Sequence, residues 1–287
     1  MSAHRVPRRR TSWRAVASAL VLLAVAGLAV FSLYWFATGG RWLVVQTPSM
    51  GRSAPVGTLL WVEPAHDLHV GDVVSFRPPG SASTYTHRIH AIAADGAIST
   101  KGDGNPAADP WLLHRSDVTG VVAMRWWAVG WLIKAAPLLV LGGALLAVLV
   151  RRFTAIHWQV PAATLGIATL TTLSIWIYRP LVRAELVVFG HLGADQHAAR
   201  ATYVSTGLLP VRLTAAGSPP LVLNDGEFGS VVTRSVDAHG RFRADVAPHI
   251  TWWMWVLLMT VCFLPALWSA IVGLAPARAV LRGKMAT

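Results

Sequence analysis

Ala15–Phe36 is a run of 22 residues without one charged side chain. As a helix it is long enough to span ~30 Å of bilayer hydrocarbon. Arg5, Arg8, Arg9, Arg10 and Arg14 precede it, so the positive-inside rule keeps its N-terminus in the cytoplasm. The run exceeds a secretory h-region, and Phe36-Ala37-Thr38-Gly39-Gly40 is a poor A-x-A cleavage site. The segment therefore reads as an uncleaved signal anchor. Further spans are expected at 127–150, 160–178 and 250–273. Lys134 lies about two turns inside the second, close enough to its outer end to snorkel to the headgroups.

Alternating four spans puts a basic tail (1–14), a short loop (151–159) and a second tail (274–287) in the cytoplasm. These three segments hold ten of the 25 Lys and Arg and no Asp or Glu, leaving 15 basic against 13 acidic residues elsewhere. The net charge of +12 is thus a topology signal and not a nucleic-acid footprint. Composition agrees: 54% hydrophobic and 13% charged residues, with a mean hydropathy of +0.50, against about 25% charged in globular chains. Disorder, coiled coil and an ordinary cytosolic domain are excluded. Trp126, Trp127 and Trp131, then Trp252, Trp253 and Trp255, are expected to form aromatic belts at the outer interface. The expected location is a plasma membrane, crossed several times, with both termini cytoplasmic.

Two extracytoplasmic regions remain, 37–126 and 179–249. Both carry short β-type runs: Leu59–Val62, Asp72–Phe76, Thr84–Ile92, Val118–Met124, Leu186–Phe189 and Val231–Val236, separated by turn signals such as Asp95-Gly96 and Asn224-Asp225-Gly226. The expected fold class is therefore mixed: a multi-pass helical membrane protein carrying a mainly β domain and a second, smaller β-rich module. The one cysteine, Cys262, falls in the fourth span, so no disulfide framework supports the exported parts.

The first of these regions concentrates the polar candidates. Ser49, His87 and Asp109 occur in that order within 61 residues. A serine hydroxyl is a weak nucleophile until a base takes its proton, and a third group commonly orients that base. Four ordered blocks surround these residues: Ser49-Met50 beyond the anchor, Gly71-Asp72-Val73-Val74-Ser75-Phe76, His87-Arg88-Ile89, and Lys101-Gly102-Asp103-Gly104-Asn105 followed by Asp109. So arranged, the segment Thr47–Trp111 resembles a type I signal peptidase, in particular the endoplasmic-reticulum-type branch, which has histidine where most bacterial enzymes have lysine. The likeness covers roughly 37–126.

The resemblance implies a membrane-bound serine endopeptidase that removes signal peptides from exported preproteins, with Ser49 as nucleophile and His87 as general base. An imidazole titrates near neutrality, which suits that exchange. Thr47 matches a position whose hydroxyl helps the Ser49 backbone N–H bind the oxyanion. Signal peptides, the lipid bilayer and, as a candidate neighbour, the Sec translocon are the implied partners; no cofactor or metal is implied. Pro48 stands where glycine is usual, and Gly51-Arg52-Ser53-Ala54 separate Ser-Met from the next proline.

Two acids compete to orient His87. If Asp95-Gly96 closes a symmetric hairpin, His87 faces Gly104 and Arg88 faces Asp103. Asp103 then lies beside Arg88 and away from His87, and Asp109 folds back to the imidazole after the Asn105-Pro106 turn. A bulge would reverse this choice. Asp109 is the expected orienting acid, with Asp103 as structural partner or second choice. The competing reading is a non-catalytic scaffold for envelope assembly. Region 179–249 shows no catalytic pattern and is expected to pack on the first domain or contact a partner.

Overall fold

The computed structural model describes residues 13–155, 158–192, 198–233 and 243–264, together with 267 and 270. The first three apolar runs form α1 (Trp13–Ala37), α2 (Val129–Phe153) and α3 (Gln159–Tyr178), each long and apolar enough to cross a membrane. Of the fourth expected span, a shorter apolar helix, α4 (Trp252–Leu264), is described. Its remainder to 273 lies outside the described residues apart from 267 and 270, as do 1–12 and 274–287. Small residues bring α2 and α3 together: Gly142 faces Leu170, and Gly166 faces Leu146. Lipid offers no hydrophobic drive between helices, so close backbone approach at glycine is the usual means of packing them.

Between α1 and α2 the chain folds into one antiparallel sheet. Its strands are β1 (Arg41–Val44), β2 (Leu59–Glu63), β3 (Val73–Phe76), β4 (Tyr85–Ile92), β5 (Ile98–Lys101), β6 (Leu112–Leu113) and β7 (Val118–Trp126), in the order β1-β2-β7-β3-β4-β5-β6. β3 is buried at all four positions, Val73-Val74-Ser75-Phe76, because both faces of the sheet are covered there. Neighbouring residues on a strand point to opposite faces. Val73 accordingly joins a cluster with Val45, Met50, Ala54, Leu60 and Val62, while Val74 and Phe76 join Ile89, Ile98 and Leu113 on the other side.

The β4–β5 hairpin differs from the symmetric register expected from Asp95-Gly96. It closes between Ala93 and Ala97, whose backbones hydrogen-bond at 2.8 Å, around a three-residue loop with Gly96 at φ +85°. A bulge at His90 then shifts the pairing again, so Arg88 faces Lys101 and Ile89 faces Thr100. Each departure is a single-residue slip, and one slip exchanges the two faces. Together they restore the original parity, and Asp103 still comes to the Arg88 face.

The second β region consists of two three-stranded sheets. One has the order β11-β10-β13 (Leu221–Leu223, Val211–Ala215 and Ala244–Pro248), the other β12-β9-β8 (Phe228–Thr233, Ala198–Ser205 and Ala184–Leu192). They close on Val211, Leu213, Leu223 and Val231.

The expected tryptophan belt holds unevenly. Trp252 is 78% exposed and Trp253 53%, but Trp131 is only 7% exposed and packs on Gly57. Trp126 lies in a ring cluster, tilted against Trp42 and edge-on to Trp61. Trp131 is protein core and Trp126 is half-buried, because β7 and the start of α2 deliver them onto the sheet.

Candidate active site

Ser49 sits in a short 3-10 turn, Pro48–Ser53, between β1 and β2. Pro48 occupies the first position of that turn, where a fixed φ is favourable and a missing N–H costs nothing. Proline at this position is thus accommodated without strain. Met50, the next residue after the serine, is 1% exposed within the core. Burial of such a side chain contributes roughly 1.5–3 kcal/mol, which anchors the turn. Gly51 then leaves it at φ +51° and ψ −137°, a conformation that a residue with a Cβ adopts only with strain.

β4 delivers His87 to the serine. The His87 Nε2 lies 2.9 Å from the Ser49 Oγ, and its Nδ1 lies 2.6 Å from the Asp109 Oδ2. The side chains of His87 and Asp109 are each 5% exposed, so the pair is screened from bulk water. A carboxylate only accepts hydrogen bonds. With the proton on Nδ1 directed at Asp109, Nε2 is left as acceptor for the serine O–H. Phe76 and Tyr85 set their rings edge-on to the imidazole at 5.9 and 6.2 Å, and Trp111 packs against Tyr85 at 5.2 Å. These rings fix the histidine's orientation from the apolar side.

Asp109 is itself held twice by Thr100. Its backbone N–H donates to the Thr100 carbonyl at 2.8 Å, and the Thr100 hydroxyl donates to the Asp109 Oδ2 at 2.7 Å. Thr100 was not among the sequence candidates. The signal was its place in β5, where buried and half-buried residues alternate and a polar residue falls in the buried row with Ile98.

Asp103 serves elsewhere. The Arg88 guanidinium grips it in a fork, Nε to Oδ1 at 2.9 Å and one terminal nitrogen to Oδ2 at 2.7 Å. The Ser53 hydroxyl lies 2.5 Å from Oδ2. Burial alone would push the Asp103 carboxyl up, but the hydrogen bonds from Arg88 and Ser53 and the charges of Arg88 and Arg125 outweigh it and hold it below the usual range. The same contact raises Arg88. Ser53 and Arg125 were also missed by sequence; Arg125 donates to the Ser53 carbonyl at 2.8 Å. Asp103 thereby ties the end of the serine turn to β4 without touching His87.

The Thr47 hydroxyl stands 3.4 Å from the Ser49 Oγ. Both residues line a cleft of 740 Å³ whose walls include Leu43, Val45, Leu60 and Tyr85. Lys134 also borders this cleft, its ammonium 4.9 Å from the centre of the Trp131 ring. His90 is exposed on the bulge and Cys262 lies exposed on α4; neither approaches the serine. No protein-family model matches the chain, and no curated protein is significantly similar to it.

Proposed function

We propose that this protein is a membrane-anchored serine endopeptidase that removes signal peptides from exported preproteins, as the resemblance to type I signal peptidases implies. The observation that carries the proposal is the continuous relay Ser49–His87–Asp109, at 2.9 and 2.6 Å, assembled from a turn, a strand and a loop. In this mechanism His87 Nε2 takes the proton as the Ser49 Oγ bonds to the scissile carbonyl carbon. The Ser49 N–H and the Thr47 hydroxyl face the developing oxyanion, where one such donor is typically worth about 10²–10³ in rate. His87 returns the proton to the leaving amine as the C–N bond breaks. A water deprotonated by His87 then hydrolyses the acyl-enzyme and frees Ser49.

The edge of β1 unpaired with β2 borders the cleft, which suits an extended peptide adding along a strand. Small side chains at the first and third positions before the cut are the expected preference. The basic segments put both termini in the cytoplasm and the cleft outside, where a translocated cleavage site emerges. Anchoring enzyme and substrate in one bilayer raises their effective concentration.

The test is cleavage of a preprotein whose signal ends in Ala-x-Ala, by the full-length protein in detergent. Wild type should cut at that junction. Ser49→Ala and His87→Ala should each lose activity by about 10⁴–10⁶-fold while remaining folded. A wild type that leaves several such preproteins intact would replace this reading with that of a non-catalytic scaffold.

A further inference from the structure

We propose that the second β region is a working part of the catalytic turn, with Phe228 and Gly226 as positioning residues for Ser49; its catalytic consequence rests on the peptidase reading above. The link between β11 and β12, Asn224–Glu227, points one tight turn at the back of the serine loop. That turn is braced internally: the Asn224 backbone and side-chain amides both donate to the Glu227 carboxylate, at 3.0 and 2.9 Å, and Gly226 N–H donates to the Ser205 carbonyl at 2.9 Å. It is braced externally by the Trp127 indole, which donates to the Asp225 Oδ2 at 2.8 Å.

The contact with the serine loop is made backbone to backbone. A methyl group added at Gly226 would lie 2.6 Å from the Gly51 carbonyl oxygen and 2.9 Å from the Arg52 Cα. The Phe228 ring spreads over two glycines. A methyl at Gly51 would meet it at 3.3 Å, and one at Gly104 would collide with it outright. These glycines flank the Ser49 main chain, because Gly104 N–H donates to the Ser49 carbonyl at 2.8 Å. Gly102 closes the remaining side, where a methyl would stand 2.6 Å from that same oxygen. The Ser49 carbonyl is therefore held by the 102–104 turn, and a ring supplied from the other β region packs on Gly104 of that turn and on Gly51.

Gly51 takes a positive φ inside the serine turn, and the Phe228 ring covers that point. A nucleophile displaced by ~1 Å can lose about 10² in rate. Phe228 acts on Ser49 only through the backbone, which sets a recognisable signature.

Full-length Phe228→Ala, Phe228→Leu and Phe228→Tyr would be compared with wild type in detergent, with Val222→Ala on β11 as a control that does not touch the loop. Two quantities are read: preprotein cleavage, and amide hydrogen exchange by mass spectrometry over 47–53 and 102–105. Phe228→Ala should lower kcat about 10- to 100-fold while KM stays within about twofold. It should also speed exchange in both segments. Phe228→Leu should fall between it and wild type, and Phe228→Tyr and Val222→Ala should match wild type. Unchanged exchange in both segments, with kcat within about twofold of wild type, would overturn the proposal. An inactive wild type would overturn the peptidase reading, and the exchange data would still decide whether Phe228 holds the serine turn. Leu, which keeps an apolar side chain, gives the answer if the alanine variant fails to fold.

Discussion

The two β regions differ in where their satisfied buried polar groups are gathered. In the first, His87, Thr100 and Ser75 are almost fully enclosed and partnered around one place: Ser75 with Thr86 at 2.9 Å, Thr100 with Asp109, His87 with both Ser49 and Asp109. Away from it, the Thr58 hydroxyl and the Trp42 and Trp111 indole N–H groups are buried without a partner among the described residues. In the second, the buried Thr233 hydroxyl donates to the Ala216 carbonyl at 2.7 Å, whereas the hydroxyls of Ser205 and Thr206 are buried without a hydrogen-bond partner among the described residues, and no such group gathers around a reactive side chain. Its edge strand β8 leaves Leu186, Val187, Val188 and Phe189 between 41% and 53% exposed. An unpaired buried polar group is costly, and a half-satisfied network gains little from its order. The first region thus spends its packing on fixing a few reactive atoms, while the second presents one braced turn to its neighbour. On the proposed function, chemistry and support are divided between them.

That division can be broken most forcefully at the two acids, which look alike in sequence and differ in role. Asp109→Asn should cut kcat by about 10³–10⁴-fold, since the amide favours the wrong imidazole tautomer. Steady-state cleavage measures it. Asp103→Asn should leave kcat within about tenfold and instead weaken the fold by about 1 kcal/mol, read from a melting curve. The Asp103 carboxyl is held below its unfolded value, so its stabilisation is complete above the unfolded pKa and fades as pH falls through the folded one. The melting gap between wild type and Asp103→Asn should therefore be full at neutral pH and close below pH ~4.

A smaller effect is expected one contact further out. Thr100→Val keeps the shape of the buried side chain and removes the hydroxyl that Asp109 accepts from. Loss of a hydrogen bond to a charged group costs about 1.5–3 kcal/mol, so kcat/KM should drop roughly 10-fold or more, with β5 intact by circular dichroism. The smallest lies in the supporting turn. Burial pushes the Asp225 carboxyl up, against hydrogen bonds from Trp127 and the Gly226 backbone. A raised carboxyl favours the folded state at low pH and penalises it as pH rises past the unfolded value. Asp225→Asn keeps an acceptor for Trp127 without that charge. Its melting temperature should exceed that of wild type by a few degrees at neutral pH, a difference that vanishes below pH ~4.

Much of the candidate site was legible because its residues lie close in sequence and its signals are local. The serine turn, the histidine strand and the acid after Asn105-Pro106 fall in one stretch that a single sheet can gather. The choice of Asp109 over Asp103 agrees with the geometry for an instructive reason. It assumed a two-residue hairpin loop, whereas the chain uses a longer loop and a bulge at His90; the two slips cancel because strand faces repeat every second residue. What stayed hidden depends on contacts between distant segments. Trp127 and Asp225 are 98 positions apart, and nothing local in Phe228 points to Gly51 or Gly104. Trp131 read as an interface anchor because it adjoins a span; its burial on Gly57 depends on where β2 begins.

One further consequence lies at the root of α1. Phe31 and Trp35 rest on Trp61 at 5.7 and 4.2 Å, and Trp61 packs in turn against Trp42 and Trp126. Gly40 allows the chain to turn there, as any side chain would strike Trp35. A helix seated this way on the sheet is a strut and not a tether. The height of Ser49 above the plane that holds α1 is then a property of the molecule, like the gap of a caliper. In a peptidase so built, how far a cut falls from the end of a client's apolar segment would be measured by tryptophan packing and not read from the client's sequence alone.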